Sequence, residues 1–472
     1  MWSDRAAPER LQELVEALRS VVPVPPETAA PVILPLDDAA KAAEIAAALQ
    51  AAPGFVWLDS PGSHKLFARP VLRLSVREGE AVIEGPDARL ALRARGFEMV
   101  EAAAVAWGQM PGAMLCGYLG YELGAESENI ETPSYRNEDP PDLVLGLYDH
   151  WFVRDAAGWM MAGTDAWRDV ASLAVLPRGC PLADCLPRPP VASTPDESGF
   201  CEAVRGLVQR IYAGEVYQVV LCRRLETALA EDEIWPLYLR MREISPADYG
   251  AFLRLGPGCA VLSLSPELFL RVDDGEIRSY PIKGTRPRGA TAEEDAALAA
   301  DLLDSGKDRA ELAMIVDVTR NDLGRVCAAG TVRVGSHAEL MTLPTVHHTV
   351  SKIVGQLRPD VTLPDVLRAC SPAASISGAP KIRAIELAAA QEGFRRGPCM
   401  GSIGWISLDG RMELSVAIRT AVASAGRLWY LAGCGITAES EPRAEFAESQ
   451  SKAAAFERAL AGGATPPAPP RP

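Results

Sequence analysis

Histidine is scarce in this chain, five residues in 472, and its ten cysteines are thinly spread. No Cys-x-x-Cys array occurs, and the closest spacing, Cys180 to Cys185, has no second half that would complete a zinc site. Isolated thiols in a chain this long argue against a disulfide framework and for a reducing compartment. No Lys/Arg-dense run stands out either. Lys+Arg number 47 against 62 Asp+Glu, a net charge of -15, which makes nucleic acid and anionic membrane surfaces poor partners. No apolar run reaches membrane-spanning length, and the start, Met1 to Arg5, is polar and lacks a signal-peptide apolar region. The expectation is a soluble cytoplasmic protein that binds neither nucleic acid nor membrane.

What is present in quantity is apolar residue, 48% of the chain, enough for a large core. Residues 1–180 hold helical stretches at Pro8 to Val21 and Asp38 to Ala52. They also hold strand-like runs at 54–58 and 71–76, and a further apparent strand pair at 143–148 and 151–153. Residues 181–197 are proline-rich and read as a linker. Residues 198–462 open with a helix to Tyr212, and strands follow at 219–224, 251–256, 260–264, 268–273 and 277–282. A helix over 291–317 comes next, then strands at 331–334, 346–355, 411–422 and 428–434, and a last helix after Pro442. Residues 463–472 form a Pro/Gly/Ala tail expected to be disordered. Strands that recur as hairpin-like neighbours predict an α+β fold with large antiparallel sheets rather than regular βαβ units.

Three features carry chemistry. Lys283 stands in Pro281-Ile282-Lys283-Gly284-Thr285-Arg286-Pro287-Arg288-Gly289, where the two arginines are expected to favour its neutral, nucleophilic amine. Alone, this segment reads as a basic turn. Asp308 and Glu311 share a helix face, and Glu445 and Glu448 repeat the spacing in the last helix, with Lys452 four residues on. Such pairs are usually solvated faces. If two of them converge, oxygen donors without a His/Cys cluster point to Mg²⁺. Finally, Ser375 to Lys381 and Gly433-Cys434-Gly435 are glycine-bearing turns, while Arg419 follows three apolar residues in an expected buried strand. A bound carboxylate would give that guanidinium its partner.

Taken in order, Gly214 to Gln218, Ser265-Pro266-Glu267, Pro281 to Gly289, Asp317 to Arg325, Ser375 to Lys381, Gly401 to Gly404, Ile418 to Thr420 and Gly433 to Ile436 form a series. This series resembles the chorismate-utilising enzymes over nearly all of 197–462. The N-terminal part, with Trp57 to Ser60 and Gly117 to Glu122, fits more loosely. The resemblance implies two large antiparallel sheets packed as a sandwich, with helices outside.

Within the family, water-using members carry a lysine where this chain has Gln218, so Gln218 implies ammonia as nucleophile. Pro-Ile-Lys-Gly-Thr, rather than Pro-Ile-Ala-Gly-Thr, implies amination of chorismate to 4-amino-4-deoxychorismate without pyruvate loss. The runner-up is anthranilate formation. By the same resemblance Lys283 is the nucleophile and Glu267 the general acid. Glu311 and Glu448 bind Mg²⁺ directly, and Asp308 and Glu445 do so through water. Gly284, Thr285, His348, Ser375, Arg419, Gly433, Cys434, Gly435 and Lys452 hold the substrate, and Ser60 marks an effector pocket. Asp308, Ala374, Cys399 and Trp405 depart from the usual Glu, Gly, aromatic and Tyr. No Gly-x-Cys-x-Gly glutaminase elbow with a following triad is visible, so ammonia is expected from a separate glutamine amidotransferase subunit.

Overall fold

The computed structural model describes residues 6–22, 42–52, 54–108, 112–155, 158–163, 191–343 and 346–462. Its strands obey a period of two. In Val56–Ser60, Val56 and Leu58 face one apolar cluster while Trp57 faces another. Gln218–Ala228 does the same, with Val220 and Cys222 to one side and Val219 and Leu221 to the other. A strand that is apolar on both faces must be covered on both, and this requirement builds the layers.

Two antiparallel sheets result. The first runs in the order Ala192–Thr194, Gln218–Ala228, Arg427–Ile436, Thr420–Ser424, Cys259–Ser265, Tyr249–Gly256, Val56–Ser60, Ser63–Phe67, His150–Asp155, Gly158–Gly163. The second runs Ile282–Pro287, Val346–Gln356, Glu276–Tyr280, Leu268–Asp273, Met412–Val416, Ser402–Ser407, Met114–Leu119, Leu143–Tyr148, Leu72–Arg77, Glu80–Glu84, Arg89–Arg93. Inward residues of both sheets, among them Leu253, Val261 and Val422 with Leu74, Leu145 and Leu414, form one core. Each such side chain contributes about 1.5–3 kcal/mol by leaving water. Helices Ile234–Ile244 and Pro442–Ala461 cover the outer face of the first sheet. The α+β sandwich expected from the sequence is the observed fold.

The proline-rich stretch does not separate two sheets, and Ala192–Thr194 at its end forms the edge strand of the first. Val56–Ser60 pairs with Tyr249–Gly256, and Met114–Leu119 pairs with Ser402–Ser407, so the parts before and after it share both sheets. Residues 181–190 of that stretch and the tail 463–472 lie outside the described residues.

Three local expectations change. The runs at 143–148 and 151–153 are not partners, because the chain passes from the second sheet to the first at Asp149. The helix expected over 291–317 is two, Ala292–Asp304 and Gly306–Gly324. Ser305 leaves helical geometry between them and caps the second by accepting from the Asp308 N–H at 3.2 Å. The strand expected over 411–422 also divides, into Met412–Val416 and Thr420–Ser424 of different sheets. No helix among the described residues is long and apolar enough to cross a membrane.

Candidate active site

Two crossings between the sheets build one wall of the site. Pro266 and Glu267 join Cys259–Ser265 to Leu268–Asp273, and residues 417–419 join Met412–Val416 to Thr420–Ser424. The crossings are stitched together. Val416 N–H donates to the Glu267 carbonyl at 3.0 Å, and Leu264 N–H to the Arg419 carbonyl at 3.1 Å. Arg419 therefore sits at a turn with φ +50°, not within a strand.

Lys283 lies in Ile282–Pro287, fixed against Val346–Gln356, where the Thr349 hydroxyl donates to its carbonyl at 2.5 Å. The register slips between Lys283 and Thr285, and Gly284 there has φ +70°. A Cβ at Gly284 would lie 2.7 Å from Leu302 Cδ1, so only glycine fits. Gly435 is the second enforced glycine. A Cβ there would fall 1.8 Å from Gln218 Nε2 and 3.5 Å from Lys283 Nζ, so amide and amine converge over its bare backbone. Gln218 is fully buried, and neither end of its amide has a hydrogen-bond partner among the described residues.

Burial is the chief cause that lowers the Lys283 pKa. Lys452 adds to the effect, while Glu311, Glu267 and Glu448 oppose it. The arginines expected to do this face elsewhere, because carboxylates claim them. Arg286 pairs with Asp301 at 2.6 Å and Asp308 at 3.2 Å, and Arg288 with Asp295 at 2.7 Å. Glu267, 3% exposed, is pushed up to about 7 by burial, against the pull of the Ser375 hydroxyl, Lys283 and the Ile282 N–H. A carboxyl that keeps its proton near neutrality can serve as an acid.

His348 links the wall to Arg419. Its Nδ1 lies 3.0 Å from the Gly284 carbonyl and 3.1 Å from Thr285 Oγ1, and its Nε2 lies 2.9 Å from the Arg419 guanidinium. Burial, then the Arg419 charge, lowers its pKa to about 4. The ring is therefore neutral, donating from Nδ1 and accepting at Nε2. Among the described residues no carboxylate pairs with Arg419, which leaves its charge for an anion.

The opposite wall is helical. Glu445 and Glu448 project from Pro442–Ala461, and their carboxylates lie within 4.8 Å of one another and of Cys434 Sγ. Glu311, on Gly306–Gly324, is joined to them by Lys307, whose Nζ lies 3.9 Å from both Glu311 Oε1 and Glu445 Oε1. An internal ammonium thus stands among oxygen donors of two helices, as a small hard cation would. Asp308 is turned aside to Arg286. Lys452 Nζ lies 2.7 Å from Glu448 Oε1 and 3.0 Å from the Gly433 carbonyl. The Cys434 side chain points to the far side of its strand, its Sγ 3.2 Å from the Glu445 carbonyl, so only its backbone shares the surface of Gly433 and Gly435. Ser60 ends its strand beside buried Asp59, which pairs with His64 at 2.9 Å and with Arg242; no contact joins it to this site among the described residues. Lys307 was legible as a lysine one turn before Glu311, yet its bridging position depends on the second helix.

A half-buried amine with a lowered pKa, a buried carboxyl with a raised one, an unclaimed guanidinium and a helix-borne acidic set define an enzyme site for a small anionic substrate. The chain belongs to the chorismate-binding enzymes, whose family model matches residues 53–458. It is 40% identical over 391 residues to an aminodeoxychorismate synthase of Streptomyces griseus, a match covering 78% of this chain but only about half, 52%, of that relative. It is 37% identical to aminodeoxychorismate synthase component 1 of Escherichia coli (strain K12), over 71% of this chain and 74% of that one. The crystal structure of anthranilate synthase component I from Streptococcus pneumoniae TIGR4 has a TM-score of 0.74 at 27% identity, covering 83% of this chain and 91% of that one.

Proposed function

We propose that this chain aminates chorismate with ammonia to 4-amino-4-deoxychorismate, for p-aminobenzoate and folate synthesis in the cytoplasm. The observation that carries the reading is the convergence of the Lys283 amine and the buried, unpartnered Gln218 amide over Gly435, with Glu267 also charge-coupled to Lys283. Relatives named aminodeoxychorismate synthase support it.

In this reading Arg419 and Lys452 anchor the substrate's anionic groups. Lys283 Nζ bonds to the ring carbon beside the carboxylate-bearing one, both conjugated ring double bonds shift by one position, and the C4–O bond breaks. Glu267 gives its proton to that oxygen, which leaves as water. Ammonia, oriented by the Gln218 amide, then bonds to C4, both double bonds shift back as the bond to Nζ breaks, and the excess proton of the new ammonium returns to Glu267. Two allylic displacements place nitrogen where oxygen stood, and the enolpyruvyl group stays.

Glu311 and Glu448, with Asp308 and Glu445 through water, would hold Mg²⁺. The all-oxygen donors and the stand-in ammonium of Lys307 fit that ion. Bound there, it would neutralise charge gathering on the ring carboxylate. A separate glutamine-hydrolysing partner would supply the ammonia.

Anthranilate formation is the rival, and the Streptococcus structure keeps it in view. Incubation with chorismate, Mg²⁺ and ammonium separates the two. The expected product becomes p-aminobenzoate only when a lyase is added, whereas pyruvate release without a lyase would overturn the assignment.

A further inference from the structure

Glu267 also lines a cavity of about 10 Å³ on the side of helix Gly306–Gly324. That is room for one water. Its polar lining is Glu267, Ser279, Thr319, Asp322 and Ser375. The Ser375 hydroxyl is buried and makes no hydrogen bond of good geometry among the described residues. Thr319 Oγ1 donates to the Ile315 carbonyl at 2.9 Å and keeps an accepting lone pair. A water there would find the two to four partners it needs.

Asp322 closes the far side. It belongs to the segment Asp317 to Arg325, to which the reaction assigns no role. Lys381 Nζ lies 2.6 Å from Asp322 Oδ2 and 3.0 Å from the Cys370 carbonyl. Both charges are largely buried, at 9% and 14% side-chain exposure. A buried ion pair is a poor source of stability, so its place on a cavity shared with the acid points to a task.

We propose that one water in this cavity hydrogen-bonds Glu267 to Asp322, and that the Asp322 carboxylate, anchored by Lys381, is a positioning residue that keeps the proton on Glu267. The inference rests on Glu267 acting as the acid. A negative charge across one water favours the protonated neighbour and opposes the pull of Lys283. Burial raises both carboxyls, Glu267 to about 7 and Asp322, which Lys381 holds back, only to about 6. The proton therefore rests on the group that faces the substrate. The other groups facing Glu267 are the Ile282 N–H, the Ser375 hydroxyl and the Cys370 thiol across the cavity. Those facing Asp322 are Arg325, Glu128 and Cys370, which the same ion pair outweighs by proximity.

The test is the pH profile of kcat/KM for chorismate, at saturating Mg²⁺ and constant free NH₃. Lys283 must lose a proton and Glu267 must keep one, so the profile is a bell with one limb for each group, and Glu267→Gln identifies the Glu267 limb by removing it. Asp322→Asn moves the Glu267 limb down by about one unit and leaves the other limb in place, and Asp322→Glu restores it. An unmoved limb in folded Asp322→Asn overturns the inference. If that variant does not fold, Thr319→Val, which keeps the ion pair, supplies the reading: a smaller shift in the same direction supports the water link, and none overturns it. Glu267→Gln is the separate control. A bell that keeps both limbs in it would mean that Glu267 is not the acid, a failure of the reaction assignment distinct from a failure of the link to Asp322.

Discussion

Lys283 and Lys452 sit on opposite walls of one site and are treated oppositely. Lys283 comes from a sheet strand and has no carboxylate in hydrogen-bonding contact among the described residues, so burial lowers its pKa. Burial would lower Lys452 too, but the Glu448 carboxylate, 2.7 Å away, helps to overcome it and holds the ammonium charged. The glutamates divide in the same way. Burial raises Glu267 to about 7, whereas Lys452 more than offsets burial at Glu448 and lowers it. The sheet wall withholds counter-charges and leaves neutral, reactive forms. The helix wall supplies them and leaves ions that bind other ions.

The sharpest way to break this comparison is on the sheet wall. Lys283→Ala should lower chorismate turnover by about 10³-fold or more while Mg²⁺ binding by calorimetry changes little. Retained turnover would end the nucleophile assignment. Glu267→Gln should cost about 10²–10⁴-fold in kcat/KM. It should also flatten a pH dependence of stability. A carboxyl raised from 4.5 to about 7 on folding contributes stability that is complete below 4.5 and lost as pH rises through 7. Denaturant melts of wild type at pH 5 and pH 8 should therefore differ by up to about 3 kcal/mol more than those of Glu267→Gln.

The helix wall should respond through the metal. Glu448→Gln should weaken Mg²⁺ by about 10–100-fold in a calorimetric titration, with the melting temperature of the metal-free protein nearly unchanged. The smallest effect is expected at Lys307. Its ammonium competes for the Glu311 and Glu445 oxygens. Lys307→Met should tighten Mg²⁺ about threefold, the modest size expected for a half-exposed pair. Weaker binding would show that Lys307 helps the metal site rather than filling in for it.

Much of this was legible along the chain. Val56-Trp57-Leu58 reads as a strand from its apolar run, and the acidic spacings read as helix faces. The motif series identified Glu267, Lys283 and Gln218 before any geometry. What the chain concealed was pairing over long range. Nothing near Val56 announces Tyr249–Gly256 as its neighbour. The break at 417–419 was hidden as well, because Met412 to Thr420 stays apolar enough to pass for a single strand while it changes sheets.

By itself the sequence determined the residue types, the local elements and the family pattern, since these depend on neighbours within a few positions. Tertiary structure decided which charges meet. It turned Arg286 and Arg288 toward Asp301, Asp308 and Asp295, and left Lys283 to be set by burial and Lys452. Solvent exclusion and charge partners arise only when distant segments pack, so the protonation states on which the chemistry depends are properties of the fold.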